Sequence, residues 1–399
     1  MSIDVVVVGG GIGGSSLATL LARSGKKVLV LERETTFKDR VRGENMLPWG
    51  VAAARRMGLV DALLAAGAHP TPLFNVYAMG ERTDARSLPQ TTPSGDCSLN
   101  MYHPDLQETL LAVALRAGAE VKRGAHVQGI AEKDGQYTVT FSENDQSRSV
   151  AAKLVVGADG RTSKMREWGG FSVARDPDNL RIGGALVEGT DVPEDGTHLA
   201  FGPGFATFIA PLGNKRARVY FVYPGATGDR KLSGKEKTVE FLDSVRSTRV
   251  PTAWFEDATV TGPLAQFEGA DHWVQAAGKP GIALVGDAAA ATDPSWGCGL
   301  SKTMVDVETL SKCLMETDDW NAAVEKYSKA HDDYATKLHD ILAWMTELFW
   351  TPGAEAEQRR QRVFSAMKKD PRGFPDCVGL GPFGPADESA RRKMLGLDA

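Results

Sequence analysis

The chain has 399 residues, 42% of them hydrophobic and 24% charged, with a formal net charge of −5. That is ordinary globular composition, long enough for one large or two modest domains around a substantial core. The acidic balance argues against a phosphate-tracking nucleic-acid surface, and no apolar run reaches the roughly 18 residues that cross a bilayer. Cys97, Cys298, Cys313 and Cys377 are far apart and form no CxxC pair, so neither a metal site nor a disulfide framework follows, and free thiols in a reducing compartment are expected. Met1 leads almost directly into the first apolar run, with no basic segment and no cleavage site, which makes the expected location cytoplasmic. The arginines at 359, 360 and 362 read as a solvated helix face.

Residues 5–8 are continuously apolar, as expected of a strand buried on both faces of a parallel sheet. Gly9, Gly11 and Gly14 follow as GxGxxG and open a helix over 15–23, with Leu17, Leu20 and Leu21 on its packed side. Residues 28–31 form the next strand, which ends at Glu32. Such a turn needs glycine where φ is positive and where phosphates approach the backbone, and the helix N-terminus offers free N–H groups to a pyrophosphate. Glu32 stands where a carboxylate holds ribose hydroxyls, and an acidic residue there favours FAD or NAD over NADP.

Further along, a helix is predicted over 106–116 and a short strand at 120–121. Buried strands follow at 154–157 and 282–286, each stopped by glycine, and then a helix over 299–314. Residues 180–223 have a different texture. Alternating or aromatic-rich runs at 205–211 and 216–222, parted by Gly213-Asn214, predict an antiparallel sheet to which 76–79 and 98–101 contribute strands. Residues 321–350 read as a long helix, and the tail beyond Pro352 is rich in Pro, Gly and charge.

Two more motifs close the buried strands. One is Gly157-Ala158-Asp159-Gly160 with Ser163 and Arg166; the other is Gly286-Asp287-Ala288-Ala289, followed by Pro294, Gly297 and Gly299. A carboxylate at a strand end can accept hydrogen bonds from a ribityl hydroxyl. Glycines opening a helix can aim N–H groups at a flavin pyrimidine, where reduction builds negative charge.

With Arg42-Gly43-Glu44, these pieces resemble the class A FAD-dependent monooxygenases of the p-hydroxybenzoate hydroxylase fold, in order and spacing, from Ile3 to about Leu314. The resemblance implies an α/β architecture, with a Rossmann-like FAD-binding domain interleaved with a β-sheet-rich substrate domain, plus C-terminal helices. The FAD-binding domain would take residues 1–72, 102–178 and 270–350, the substrate domain 73–101 and 179–269, and a tail or helical extension 351–399. It implies that Gly9, Gly11, Ile12, Gly13, Gly14, Glu32 and Arg33 hold the ADP half of FAD, with Val127 also on the cofactor. Arg42 would lie near the flavin and its ribityl chain or phosphates, Gln107 near the phosphates, and Asp287 on the ribityl chain or phosphate. Pro294, Gly297, Gly299 and Leu300 would line the isoalloxazine, and Asp159 would be tied to FAD and to the encounter with NAD(P)H.

The reaction implied is hydroxylation of an electron-rich aromatic or heteroaromatic small molecule through a flavin C4a-hydroperoxide, with NAD(P)H and O2 as co-substrates. Arg218, Tyr220, Ile209 and Pro211 are the expected pocket wall, with Trp49, Trp296 and Pro294 beside the rings. No general base emerges, because His103, His198 and His272 stand isolated. Ala290 and His103 replace a histidine and an arginine frequent in the family. A flavin-dependent halogenase shares the scaffold, but WxWxIP is absent and 76–80 holds no lysine. An isoprenoid-type flavin reductase and a non-catalytic flavin-binding partner are the remaining alternatives.

Overall fold

In the computed structural model, which describes residues 3–133, 136–225 and 230–398, the apolar run Ile3–Val8 is a central strand, β1. Helix α1 (Ile12–Arg23) follows and buries Leu17 and Leu21, and β2 (Val28–Glu32) returns parallel beside β1. Helix α2 (His103–Arg116) leads to β3 (Glu120–Arg123), parallel to β2. On the other side of β1 lie β4 (Gln146–Gly157) and, further along the chain, a three-residue strand Ile282–Leu284, both parallel. All these parallel strands point their carboxyl ends to one edge, where open α/β sheets bind ligands. β4 is longer than its apolar run predicts. Its first half is mostly exposed and pairs antiparallel with Gln136–Glu143, a pairing without a continuous hydrophobic signal.

The second sheet has eight strands. Its centre is β5 (Leu180–Glu188), β6 (Phe205–Gly213) and β7 (Arg216–Pro224), paired antiparallel with β7 in the middle. Leu73–Ala78 joins it, parallel to Gly196–Gly202. Ser98–Asn100 does not: it pairs with Asn45–Met46 and His69–Thr71 in a separate three-stranded sheet, which corrects the expectation for 98–101. One face of the large sheet packs Ile209, Val219 and Phe221 against the helix Thr238–Ser247, through Phe241 and Val245. The opposite face is turned to the first sheet.

The chain then forms β8 (Ile282–Leu284, the strand met above), α3 (Gly299–Glu316) and α4 (Trp320–Trp350). The tail contains the helix Ala354–Lys369, whose Arg360 donates to the carbonyls of Leu348 and Thr351 at the end of α4, while Arg359 pairs with Glu347. Two members of the predicted solvated arginine face thus cap a neighbouring helix. The cysteines are free thiols. No helix of the described residues is long and apolar enough to cross a membrane.

Candidate functional site

A cleft of about 530 Å³ runs from the carboxyl ends of the parallel strands to the inner face of the second sheet, within the range of small-molecule and cofactor sites. It is lined by Gly9, Gly11, Ile12, Gly13, Glu32, Arg33, Arg42, Gln107, Val127, Asp159, Asp287, Pro294, Gly297, Gly299 and Leu300. Of the residues expected on the cofactor, Gly14 alone lies off it. A Cβ on Gly14 would fall 1.9 Å from the Gly9 carbonyl oxygen, so this glycine serves the close packing of α1 on β1.

At one end of the cleft the first turn is open to a ligand. Gly9 has φ +104°, and a Cβ there would come within 2.5 Å of the Ala158 carbonyl oxygen. A Cβ on Gly11 would meet only the Gln107 amide, at 3.6 Å. Helix α1 has no side-chain cap and no acidic residue in its first turn, so its N–H groups face the cleft beside that amide. The buried Glu32 carboxylate accepts from the Gly10 and Glu34 N–H groups, each at 2.7 Å, which fixes it at the tip of β2.

The middle of the cleft is built by two braces. Asp159 accepts from the Lys164 and Met165 N–H groups at 2.7 and 3.1 Å, and its Oδ1 is buried without a hydrogen-bond partner among the described residues. Buried Arg166 donates to the carbonyls of Asp287 and Ala288 and so ties the two later motifs together. Behind them Asp306 on α3 accepts from the Gly286 N–H at 2.7 Å, from Lys302 Nζ at 2.6 Å and from the Tyr334 hydroxyl at 2.7 Å. This network, which the sequence reading missed, presents Asp287 to the cleft; its only sequence signal is Lys302 and Asp306, a charged pair four apart in an apolar helix. The Asp287 carboxylate and the Arg42 guanidinium have no hydrogen-bond or ion-pair partner among the described residues. Pro294 is held from outside the cleft: Asp271 accepts from the Asp293 N–H, and His339 sits 2.9 Å from Asp176 beside it. Burial pushes the Asp271 carboxyl up to about 7.

At the far end the second sheet supplies Ile182, Phe208, Tyr220 and Val222, joined by Phe267. Register explains the choice. Phe208 pairs with Tyr220 and Tyr220 with Gly184, so these share a face, while Ile209 pairs with Val219 on the opposite face and is fully buried there. Ile209 and Pro211 are therefore off the cleft, one residue out of phase with Phe208. Trp49 and Trp296 are off it too. Trp49 donates to the Cys377 carbonyl and packs on Phe383, and Trp296 donates to Thr346 and packs on Phe349. Both anchor C-terminal segments.

Arg218 shares the face of Tyr220 but lies beneath the cleft surface, fully buried between Asp39 and Glu44. Glu44, in the Arg42-Gly43-Glu44 stretch, lines the cleft and accepts from Tyr220 at 3.0 Å. The loop carrying these residues is strained: Val41 has φ +53°, unusual for a β-branched residue, and the bonds from its N–H to Asp39 and from Tyr220 to the Arg42 carbonyl hold it. His103, opening α2, contacts the Gly43 carbonyl at 2.9 Å, and burial, helped by Arg42, pushes its pKa down to about 4, so it is neutral.

Comparison with known proteins agrees with this geometry. The family described as FAD binding domain matches residues 2–343. Rifampicin monooxygenase of Streptomyces venezuelae is 28% identical over 372 residues, 89% of this chain and 74% of that protein. Digeranylgeranylglycerophospholipid reductase 1 of Methanococcoides burtonii is 27% identical over 349 residues, 82% of this chain and 78% of that protein. The crystal structure of p-nitrophenol 4-monooxygenase from Pseudomonas putida superposes with a TM-score of 0.80 at 20% identity, over 92% of this chain and 94% of that one, a likeness of fold. The chain belongs to the FAD-binding-domain family and has the fold of the class A flavin monooxygenases.

Proposed function

We propose that the protein is an FAD-dependent monooxygenase that hydroxylates an electron-rich aromatic or heteroaromatic small molecule with NAD(P)H as electron donor. The observation that carries this reading is one continuous cleft, with unpaired polar groups at its dinucleotide end and an apolar, aromatic wall at the other. FAD fits the residues present. The open turn at Gly11 and the uncapped α1 N-terminus would take the pyrophosphate, and Glu32 the adenosine ribose. The unpaired Asp287 and Arg42 would take the ribityl chain and a phosphate or flavin oxygen. The uncapped N-terminus of α3, entered through Gly297 at φ +68°, would face the flavin pyrimidine.

Bound FAD supplies reduction by NAD(P)H and transfer of one oxygen atom from O2. The protein's own part is orientation and dryness. Ile182, Phe208, Val222 and Phe267 exclude water from the reacting end, and Trp350 packs on the cluster of Leu180, Ile182 and Val222 behind it, which favours a small substrate. Arg218, the cation on this face, is paired with two carboxylates and lies beneath the cleft surface, where it is not placed to clamp a substrate carboxylate.

A second reading, saturation of an isoprenoid double bond, is favoured by the extent of the likeness to the archaeal reductase. One experiment separates them. The purified protein is tested for NADH and NADPH oxidation and oxygen uptake across phenols and aminoarenes, with mass analysis of products. Stimulation by one compound and a product heavier by one oxygen atom supports the monooxygenase. A flavoprotein that consumes no oxygen with any of them but saturates a geranylgeranyl chain overturns it.

A further inference from the structure

Two of the four thiols meet behind the turn that opens α3. Cys298 stands between Gly297 and Gly299, which line the cleft, but Cys298 itself does not line it and is fully buried. Its Sγ lies 3.5 Å from the Trp296 carbonyl and 4.0 Å from the Cys377 carbonyl, and the two thiols share a hydrogen bond. Cys377, 3% exposed, comes from the tail, 79 positions further along the chain. The other two thiols have different surroundings: Cys97 sits beside Asp96 and Arg55, Cys313 beside Lys326 and Glu316.

Both backbones are held at this meeting point. On the tail side, Asp376 accepts from Arg86 at 2.9 and 2.7 Å and from the Gly379 N–H at 2.8 Å, while the Cys377 carbonyl takes the Trp49 N–H at 3.0 Å. A Cβ on Gly381 would lie 2.5 Å from the Trp49 ring, so the tail runs tight against it. On the other side, the Leu47 N–H donates to Ser301 Oγ at 2.9 Å, and a Cβ on Gly50 would come within 2.5 Å of Ser301. The helix Pro48–Arg56, which carries Trp49, therefore packs directly on the first turn of α3. Two thiols in contact on two fixed backbones are the starting arrangement for a disulfide.

The bond to Cys377 and burial hold the Cys298 thiol well above its ordinary range, so it stays protonated and resists reagents arriving from bulk solvent. The oxidant that suits such a pair is small, uncharged and formed nearby. Hydrogen peroxide is what a reduced flavin yields when its oxygen is not passed to a substrate.

We propose that Cys298 and Cys377 are a modification site, oxidised by hydrogen peroxide from uncoupled turnover to a disulfide that ties the tail to the entry of α3. The source of the oxidant rests on the monooxygenase reading above. One sulfur attacks a peroxide oxygen; its S–H bond and the O–O bond break, leaving a sulfenic acid and one water. The second sulfur attacks the sulfenic sulfur, the S–S bond forms, and the hydroxyl leaves with the second thiol's proton as another water. Two thiols and one peroxide thus give one disulfide and two waters.

The test exposes the FAD-loaded protein, reduced and freed of reductant, to hydrogen peroxide and maps its peptides by mass without reduction. The expected product has lost two hydrogens, carries a Cys298–Cys377 cross-link and shows two free thiols after denaturation in place of four. It should also melt higher than the reduced protein, because the link closes a long loop. Cys97→Ser should link as wild type does; Cys298→Ser and Cys377→Ser should not, and peroxide should leave their melting unchanged. Four surviving thiols, or oxidation without a link between these two, overturns the proposal. A second arm supplies NADH or NADPH, O2 and each phenol, with released peroxide measured beside the thiols. A link that grows with the peroxide released supports the proposal, and peroxide released with all four thiols intact overturns it. No nicotinamide oxidation with any compound, together with a link formed by added peroxide, breaks the monooxygenase reading and leaves the modification site standing.

Discussion

The two ends of the cleft treat polar groups in opposite ways. At the dinucleotide end, the Arg42 and Asp287 side chains and the N-terminus of α1 face the cavity without hydrogen-bond or ion-pair partners among the described residues. At the substrate end, Asp39, Arg218, Glu44 and Tyr220 bond to one another, and what remains toward the cavity is mostly apolar. Unpaired groups cost free energy until a ligand meets them, so the first set is built for a permanent occupant. The second set is built to stand without one. Substitutions should therefore split cleanly: those at the substrate end act first on folding, those at the dinucleotide end first on cofactor retention.

The largest effect is expected from Arg218→Ala. It strands Asp39 and Glu44 as buried carboxylates without a cation and should cost roughly 3–5 kcal/mol in urea or thermal unfolding. A loss below about 1 kcal/mol would mean that the network is far wetter than its burial indicates.

Next comes a pH effect whose sign is unusual for a carboxylate. The folded state raises Glu44 from 4.5 to about 7, so it holds a proton that the unfolded chain has released, worth about 3 kcal/mol by linkage. That stability is complete below about pH 4.5 and lost as pH rises toward 7. Glu44→Gln, which mimics the neutral form, should remove this decline and exceed wild type above about pH 7 in parallel unfolding titrations. Two superimposable profiles would mean that burial does not hold the Glu44 carboxyl protonated in the folded state.

Gly184→Ala tests how the Tyr220 ring is seated. A Cβ there would lie 2.6 Å from the ring and 2.8 Å from Val41, so the ring must shift, at a cost of about 1–3 kcal/mol. The shift should also loosen the strained Val41–Arg42 turn. Unchanged stability would show that Tyr220 is not pinned by that glycine.

These contrasts explain what the sequence made legible. The glycine turns, Glu32, Asp159 and Asp287 could be read because each is a local requirement: a positive φ, a close approach, a carboxylate at a strand end. Each is announced by a short local motif, although its bracing partners lie further off, as Gly10 does from Glu32 and Arg166 from Asp287. The substrate wall could not be read in the same way. β6 is buried or half-buried on both faces, so alternation gives no phase, and the resemblance that points to residues 205–211 does not choose between Ile209 and Phe208. Trp49 and Trp296 were placed at the rings because large aromatics suit a flavin. Their actual partners, Cys377, Phe383, Thr346 and Phe349, lie in C-terminal segments that no local pattern links to them. Arg218, expected on the pocket wall, lies on the inner face but beneath the cleft, and its surroundings are set by Asp39 and Glu44, which are more than 170 positions away along the chain.

The smallest expected effect on folding is the sharpest test of the comparison. Because its carboxylate has no hydrogen-bond or ion-pair partner among the described residues, Asp287→Ala should leave the unfolding free energy of the flavin-free protein within about 0.5 kcal/mol of wild type. The brace behind it is backbone-directed, from Arg166 to the Asp287 carbonyl and from the Gly286 N–H to Asp306, and survives the substitution. The same variant should nevertheless purify largely without FAD, read from visible absorbance against protein content. If it stays fully yellow, the ribityl chain is held elsewhere. If instead the flavin-free protein loses stability as well, Asp287 has an internal partner, and the dinucleotide end is no more reserved for a ligand than the substrate end.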